Sequence, residues 1–449
     1  MDFLPPTPKV AAANPAIDLA EPRVAEGSSA ASKAGRGSAL HSGLRPVRAV
    51  AAIVLCAVFA FLTLYCTQPL LPMLTLVFHA SKAAVGLTVS ASTLGVAVAA
   101  PIFGALTERL SRKRVIVAAA VAAAVPTLLA ATSQGLNALI FWRFLQGLAL
   151  PGIFATVITY IGEEWRRESI ALVMSLYVSG TALGGFLGRF LTGLVAETLS
   201  WRWSFVLLGG LTLVGAGVIA RWLPHGRRRP RSEHEEAAEG AQRASSTRGA
   251  MRAGLRGVLG HMKNARLLAT FGVGFGTLFT LVATFTYSTF YLAEAPFRLS
   301  TLALSYLFAI YLVGLAVTPF GGYLVTRVGM RRGIGVAIGL AAAGEAITLS
   351  HSLWVVVLPG LGLVCTGVFI AQSTATSFLR MAAPAGGRVS AAGLYLSSYY
   401  IGGTIAGVAP SYVWRMGRWP ACVALVEAVL AGMLVLALVG WRNVGWSTH

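Results

Sequence analysis

Long apolar runs separated by short polar breaks recur from residue 50 to residue 440, and no other feature restricts the fold so strongly. A run of about 20 residues rising 1.5 Å per residue matches a hydrocarbon layer of roughly 30 Å. No water satisfies the backbone at that depth, so each run has to be a helix that pairs its own amides and carbonyls. Twelve such spans are expected: 50–72, 84–106, 115–134, 137–160, 170–195 and 203–223, then 267–292, 302–325, 334–350, 353–379, 390–413 and 420–440. The shortest, 334–350, also contains Glu345. Composition agrees, with 56% hydrophobic residues, 12% charged residues and a mean hydropathy of +0.72. A soluble domain carries about 25% charged residues.

A net charge of +20 raises the question of nucleic acid, and the placement of the charges answers it. With the N-terminus in the cytoplasm, 29 of the 36 Lys and Arg fall on the inner side, while Lys82, Arg202, Arg298, Arg415 and Arg418 fall outside. Arg143 and Arg189 lie well within spans. That bias is a positive-inside signal spread over membrane-flanking loops, and it leaves no basic face for a nucleic acid. Trp201, Trp203, Trp222, Trp354, Trp419 and Trp441 sit at or near the expected span ends, as interface anchors do.

The polar segments divide the chain. Residues 1–49, rich in Pro, Ala, Gly and Ser, read as a disordered cytoplasmic tail without a cleavable signal. Residues 50–223 form one six-helix block and 267–440 the other, with a cytoplasmic linker at 224–266 and a short tail at 441–449. Within the linker, Leu255, Leu259 and Met262 share one helical face, which fits either a helix on the inner leaflet or a solvated connection.

Several chemistries are excluded. The four cysteines (Cys56, Cys66, Cys365 and Cys422) lie in apolar runs without a C-x-x-C pair, and all seven histidines lie in loops or tails. No metal site, cofactor or catalytic constellation is expected. The five lysines are followed by Val, Ala, Ala, Arg and Asn, so no G-x-x-x-x-G-K-[ST] phosphate loop exists to power an ATP pump.

The two blocks share a pattern. Pro101-x-x-Gly104-x-Leu106-x-x-Arg109-x-x-x-Lys113-Arg114 recurs as Pro319-x-x-Gly322-x-Leu324-x-x-Arg327-x-x-x-Arg331-Arg332, always 218 residues on. A second match, Gly147 with Ala155-Thr156 against Gly367 with Ala375-Thr376, is offset by 220. Matches in register within the same expected topology indicate a parallel six-helix duplication.

At these residues the chain resembles the major facilitator superfamily. The loop from Gly104 through Glu108, Arg109, Arg112 and Lys113 to Arg114 is similar to that family's cytoplasmic signature, with Glu108 where Asp is usual and Ser111 where Gly is usual. Arg143-Phe-Leu-Gln146-Gly147 resembles the helix 4 motif of its drug and metabolite antiporters. Tyr65-x-x-Gln68-Pro69-Leu-Leu-Pro72 resembles helix 1 of a bacterial efflux branch. Gly180-x-x-x-Gly184-Gly185-x-x-Gly188 resembles the antiporter helix 5 motif without its Pro, and such glycines also give a smooth face for helix packing.

The resemblance implies alternating access between two bundles, with proton-coupled export of a small drug-like or metabolic solute by a monomer in the bacterial inner membrane. It implies a gating role for the two basic loops, including Arg327, Arg331 and Arg332, which can bind helix C-termini, Glu108 or lipid phosphates. It places Arg143 in the central pathway. The pattern alone leaves open that Arg143 bonds backbone carbonyls, and that Arg189 is functional or structural. The expected pathway wall further holds Tyr65, Gln68, Gln146, Tyr287, Gln372 and Tyr399. Glu345 and Glu427 fall on expected peripheral helices, and helix 1 offers Gln68 instead of an acid, so the proton carrier is not identified. A uniporter or importer, and a non-transporting membrane sensor, are the alternative readings.

Overall fold

The computed structural model describes residues 38–106, 111–224, 261, 263–314, 317, 323, 327–384 and 388–441. Outside them lie the first part of the 1–49 tail, most of the 224–266 linker, the tail beyond Trp441, and Glu108, Arg109 and Gly322. Every regular element among the described residues is helical.

The first block runs α1 (Ser38–Leu64), a 3-10 turn (Gln68–Leu70), α2 (Leu71–Val77), α3 (Lys82–Leu106) and α4 (Arg112–Ala130). It continues with α5 (Leu136–Ala149), α6 (Pro151–Glu164), α7 (Arg167–Thr198) and α8 (Trp201–Trp222). The second block holds α9 (Ala265–Ala293), α10 (Thr301–Tyr306) with a 3-10 extension to Leu312, α11 (Met330–Ile347) and α12 (Leu353–Val355). A π-helical turn, Val356–Leu361, then leads into α13 (Gly362–Ala382), followed by α14 (Arg388–Ala406) and α15 (Ala409–Gly440).

Nine helical stretches among the described residues are long and apolar enough to cross a bilayer, from Val47–Val77 to Ala409–Gly440. Thr301–Leu312 is apolar but shorter, and α11 carries the charged residues Arg331, Arg332 and Glu345. α15 is two helices joined at a kink, where Gly417 and Arg418 leave helical geometry and Arg418 takes φ 53°. That kink falls between the expected spans 390–413 and 420–440.

The breaks follow from proline chemistry. Proline has no amide to donate, so a helix that meets one must end, bend or widen. Before Pro69, α1 stops at Leu64 and the chain tightens, with the Gln68 amide bonding the Tyr65 carbonyl (3.1 Å). This releases the carbonyls of Thr63 and Leu64 from the helical ladder. At Pro151 the α5–α6 helix restarts, and around Pro359 the chain adopts the π turn.

Polar and apolar faces are arranged for lipid. Val98, Val125, Phe141, Val214, Leu358 and Val439 are exposed, whereas Thr277, Thr280, Thr284, Thr286 and Thr289 of α9 are buried. Their hydroxyls bond within their own helix or to a neighbour, as with Thr277 onto the Val273 carbonyl (2.6 Å), so the buried groups are paired. Of these five threonines the exception is Thr280, whose hydroxyl has no partner among the described residues.

Contacts within each block differ in kind from those between blocks. Along α7, a β-carbon at Gly184 would overlap the Val58 carbonyl of α1, and one at Gly188 would overlap that of Leu62. Gly180 packs the same way against Val54 and Ala57. Backbone against backbone at this range leaves no room for adjustment.

The seam between the blocks uses mostly side chains. Lys82 Nζ lies 3.0 Å from Glu294 Oε1, and Arg418 pairs with the other oxygen of the same carboxylate. The Lys82 ammonium also stands 5.3 and 5.1 Å from the ring centroids of Phe290 and Trp414. Ser90 donates to the Thr404 carbonyl, Ser397 to that of Ala97 (3.2 Å), and the Glu197 carboxylate accepts from the Leu302 amide (3.3 Å). The end of the bundle carrying Lys82, Glu294 and Arg418 is thereby closed. There α3 and the turn after α14 meet so closely that a β-carbon on Gly86 would overlap the Gly407 carbonyl oxygen.

Candidate functional site

Two arginines occupy the bundle interior. Arg143 on α5 is fully buried, and groups of the first block engage all three of its nitrogens. Its Nε donates to the Thr88 carbonyl (3.3 Å), Nη1 to that of Thr63 (2.7 Å), and Nη2 to that of Leu64 and to Ser92 Oγ (3.1 Å). Gln146, one turn on, accepts from Nη1 through its side-chain oxygen, and Cys66 Sγ lies 3.5 Å away. The released carbonyls at the end of α1 are thus the acceptors that a buried guanidinium needs.

Arg189 on α7 is 2% exposed and sits on the seam between the blocks. Its Nε donates to Gln68 Oε1 (2.6 Å) and its Nη1 to the Gly185 carbonyl (2.6 Å). Among the described residues no acceptor engages Nη2. Three rings surround the guanidinium: Tyr65 from the first block at 4.9 Å, and Phe308 and Tyr311 from the second at 4.7 and 4.6 Å. Gln68 carries the contact further, its Nε2 donating to Thr286 Oγ1 on α9 (2.9 Å). Neither arginine has a carboxylate within ion-pair distance among the described residues.

The structure therefore separates residues expected on one wall. Tyr65 and Gln68 belong with Arg189, whereas Gln146 belongs with Arg143. Tyr399 is half-buried, stacked with Tyr395 (6.2 Å between centroids) and edge-on to Tyr400 (5.3 Å). Tyr400 in turn stacks on Phe154 across the seam (6.1 Å). Gln372 is half-buried with its side-chain oxygen unpartnered among the described residues, as is the buried Tyr395 hydroxyl. Tyr287 stands apart near the closed end, donating to the Gly407 carbonyl (3.1 Å). Glu345, on α11, accepts from Thr284, and its second oxygen is unpartnered among the described residues.

Phe308, Tyr311 and Thr286 are site residues that the sequence reading did not single out. Their signal was present: Phe308 and Tyr311 are three apart on an apolar helix, which places both rings on one face.

At the opposite end the basic loops are partly described. Gly104 lies in the last turn of α3. Arg112 forms a bidentate pair with Glu163 at the end of α6 (3.0 and 3.2 Å), which ties the loop to the neighbouring helix. Arg331 donates to the Leu438 carbonyl in the last turn of α15 (2.9 Å), a cation at the negative end of a helix dipole. The Arg327 guanidinium lies over Tyr323 (4.8 Å), Lys113 is half-buried, and Arg114 and Arg332 are exposed.

Comparison with known proteins gives this geometry a family. The model of the Major Facilitator Superfamily matches residues 53–407. The chain belongs to the Major Facilitator Superfamily. It is 30% identical over 380 residues to the uncharacterized MFS-type transporter YybF of Bacillus subtilis, covering 84% of this chain and 89% of that one. It is 30% identical over 398 residues to the inner membrane transport protein YnfM of Escherichia coli, covering 88% and 90%. In fold, this major facilitator matches a bacterial homologue of the human lysosomal transporter Spinster, solved inward-facing and unoccupied, with TM-score 0.67 and 12% identity over 88% of this chain and 96% of that one. It also matches the nucleoside transporter NupG with TM-score 0.66 and 14% identity, over 88% and 100%. The protein is accordingly a multi-pass membrane transporter of the secondary type.

Proposed function

We propose that this major facilitator exports a small drug-like or metabolic solute in exchange for protons across the bacterial inner membrane, as a monomer. It does so by alternating access between two six-helix bundles, 50–223 and 267–440. Both termini face the cytoplasm in this reading, which the distribution of Lys and Arg supports. The closed end bearing Lys82, Glu294 and Arg418 then faces outward.

The observation that carries the reading is the contrast between seams. Helices within the first block lock through backbone contact along their length, whereas the blocks meet through an ion triad, a few hydroxyl–carbonyl bonds, stacked rings and a point of backbone contact where Gly86 meets Gly407. Contacts of the second kind can be exchanged for others at small cost, so two stiff bodies can rock about the seam.

The hydrogen bond from Gln68 to Thr286 supports a twofold relation between the bundles. These residues are 218 apart, the offset of the repeated loop. Equivalent residues of two copies can touch only at the axis that relates them. The bond therefore marks the pivot, and Arg189 hangs beside it. The basic loops near Arg112 and Arg331 act as the opposing latch, and their exposed arginines meet lipid phosphates.

The test compares solutes accumulated by cells with and without the protein, before and after an uncoupler collapses the proton gradient. A depleted set of solutes that recovers with uncoupler is expected. Depletion that survives the uncoupler would favour a uniporter, and no depletion would overturn export.

A further inference from the structure

A buried cation normally has its charge answered by an acid, because desolvation of a lone guanidinium costs several kcal/mol. Arg189 has no such partner among the described residues. It is held by one amide oxygen, one carbonyl and the faces of three rings. Aromatic faces keep an empty guanidinium tolerable at about 0.5–2 kcal/mol each, without neutralising it. A charge left in this condition, on a moving seam, is suited to a partner that comes and goes.

The geometry points to Arg189 as the recognition site for the anionic group of the transported solute, a monocarboxylate on a flat, apolar body. This rests on the transporter reading above and specifies the class of its substrate. The donors available are those of Nη2 and the second N–H of Nη1, since Nε and one N–H of Nη1 are engaged. Tyr65, Phe308 and Tyr311 pack around the guanidinium and favour a flat apolar body beside the carboxylate. A doubly charged phosphate would need a second free cation. Arg143 cannot serve, because carbonyls and side chains of the first block engage all its nitrogens.

The site also links binding to movement. Three of the contacts on Arg189, from Gly185, Gln68 and Tyr65, come from the first block, and the other two rings come from the second. An anion on Nη2 competes with those rings for the guanidinium and shifts the balance of contacts across the seam. Ligand chemistry is thus read where the two bundles touch.

The experiment uses the purified full chain in nanodiscs, with benzoate as the probe and benzamide as its uncharged counterpart, affinity being read from the shift in thermal midpoint. Benzoate is expected to bind at least about tenfold more tightly than benzamide, the difference between a charge-assisted and a neutral hydrogen bond. Arg189→Gln is expected to abolish that preference, and Arg189→Lys to keep part of it. Equal binding of acid and amide by the wild-type protein, or no binding of either, overturns the assignment without any variant having to fold. A preference that persists in Arg189→Gln overturns it as well. Failure of uncoupler-sensitive export with the benzoate preference intact would instead count against proton-coupled efflux and leave the anion site standing.

Discussion

Arg143 and Arg189 are both buried in apolar helices without a carboxylate partner among the described residues, yet their surroundings differ. Arg143 is enclosed by carbonyls and polar side chains of its own block. Arg189 is enclosed by rings from both blocks and keeps one nitrogen without a partner among the described residues. Burial of a charge thus does not by itself mark a working site. What separates a tie from a site is whether the donors are already used, and whether the neighbours move relative to one another.

The comparison can be broken most directly at Arg143. Replacing it by Ala takes the donor from the Thr63 carbonyl and from Gln146 Oε1, at about 1–3 kcal/mol each, while the Leu64 carbonyl keeps the Ser92 hydroxyl and the Thr88 carbonyl keeps its place in α3. A large fall in thermal midpoint is expected, with transport lost in proportion to folded protein. An unchanged melting curve with transport abolished would reverse the comparison and return Arg143 to the solute pathway.

Arg189→Gln ranks second. The expected outcome is a nearly wild-type melting curve, because three aromatic faces can close over a neutral amide, together with the loss of acid-over-amide preference. A collapse in stability as large as that of Arg143→Ala would mean both arginines are ties. Gln68→Leu sharpens the contrast further, removing the bonds to Arg189 and Thr286 at roughly 1 kcal/mol each. A several-fold drop in transport rate with folding preserved is expected, measured as initial flux into proteoliposomes.

The smallest effect belongs to the closed end. Burial alone would raise the Glu294 carboxyl, but the hydrogen bonds and charges of Lys82 and Arg418 outweigh it and hold it below the usual carboxylate range. A carboxyl lowered in the closed state stabilises that state above its unpaired pKa, and the contribution is lost as pH falls through the lowered value. The triad is partly exposed, so it is worth under about 1 kcal/mol and is screened by salt. Spin labels at the exposed positions Ser81 and Arg415 should show a modestly larger open fraction in Glu294→Gln. In that variant the open fraction should no longer change with pH below about 4.

Much of the helical layout was legible because apolar run length is set by the bilayer, and the breaks at Pro69 and Pro151 sit where proline demands them. The glycines at 180, 184 and 188 announced a close helix contact by spacing alone. The site was less legible. Arg143 and Arg189 look alike in a hydropathy profile, and their difference depends on which acceptors fold around them. The carbonyls that satisfy Arg143 exist only because α1 stops short of Pro69, and Phe308 and Tyr311 reach Arg189 only through the seam. Such three-dimensional complementarity has no period along the chain. Glu163 was missed as the partner of Arg112 for the same reason, being 51 residues away.

The contact of Gly86 with Gly407 has an electrical consequence. Two backbones that exclude even a β-carbon leave no room for a file of water molecules, and a file of water is what conducts protons. In the proposed alternating-access cycle the closed end is therefore an insulator as well as a gate. Under the proposed proton exchange the gradient must not be short-circuited between cycles, and two residues without side chains supply the dielectric. Any larger residue at either position would trade that insulation for a leak.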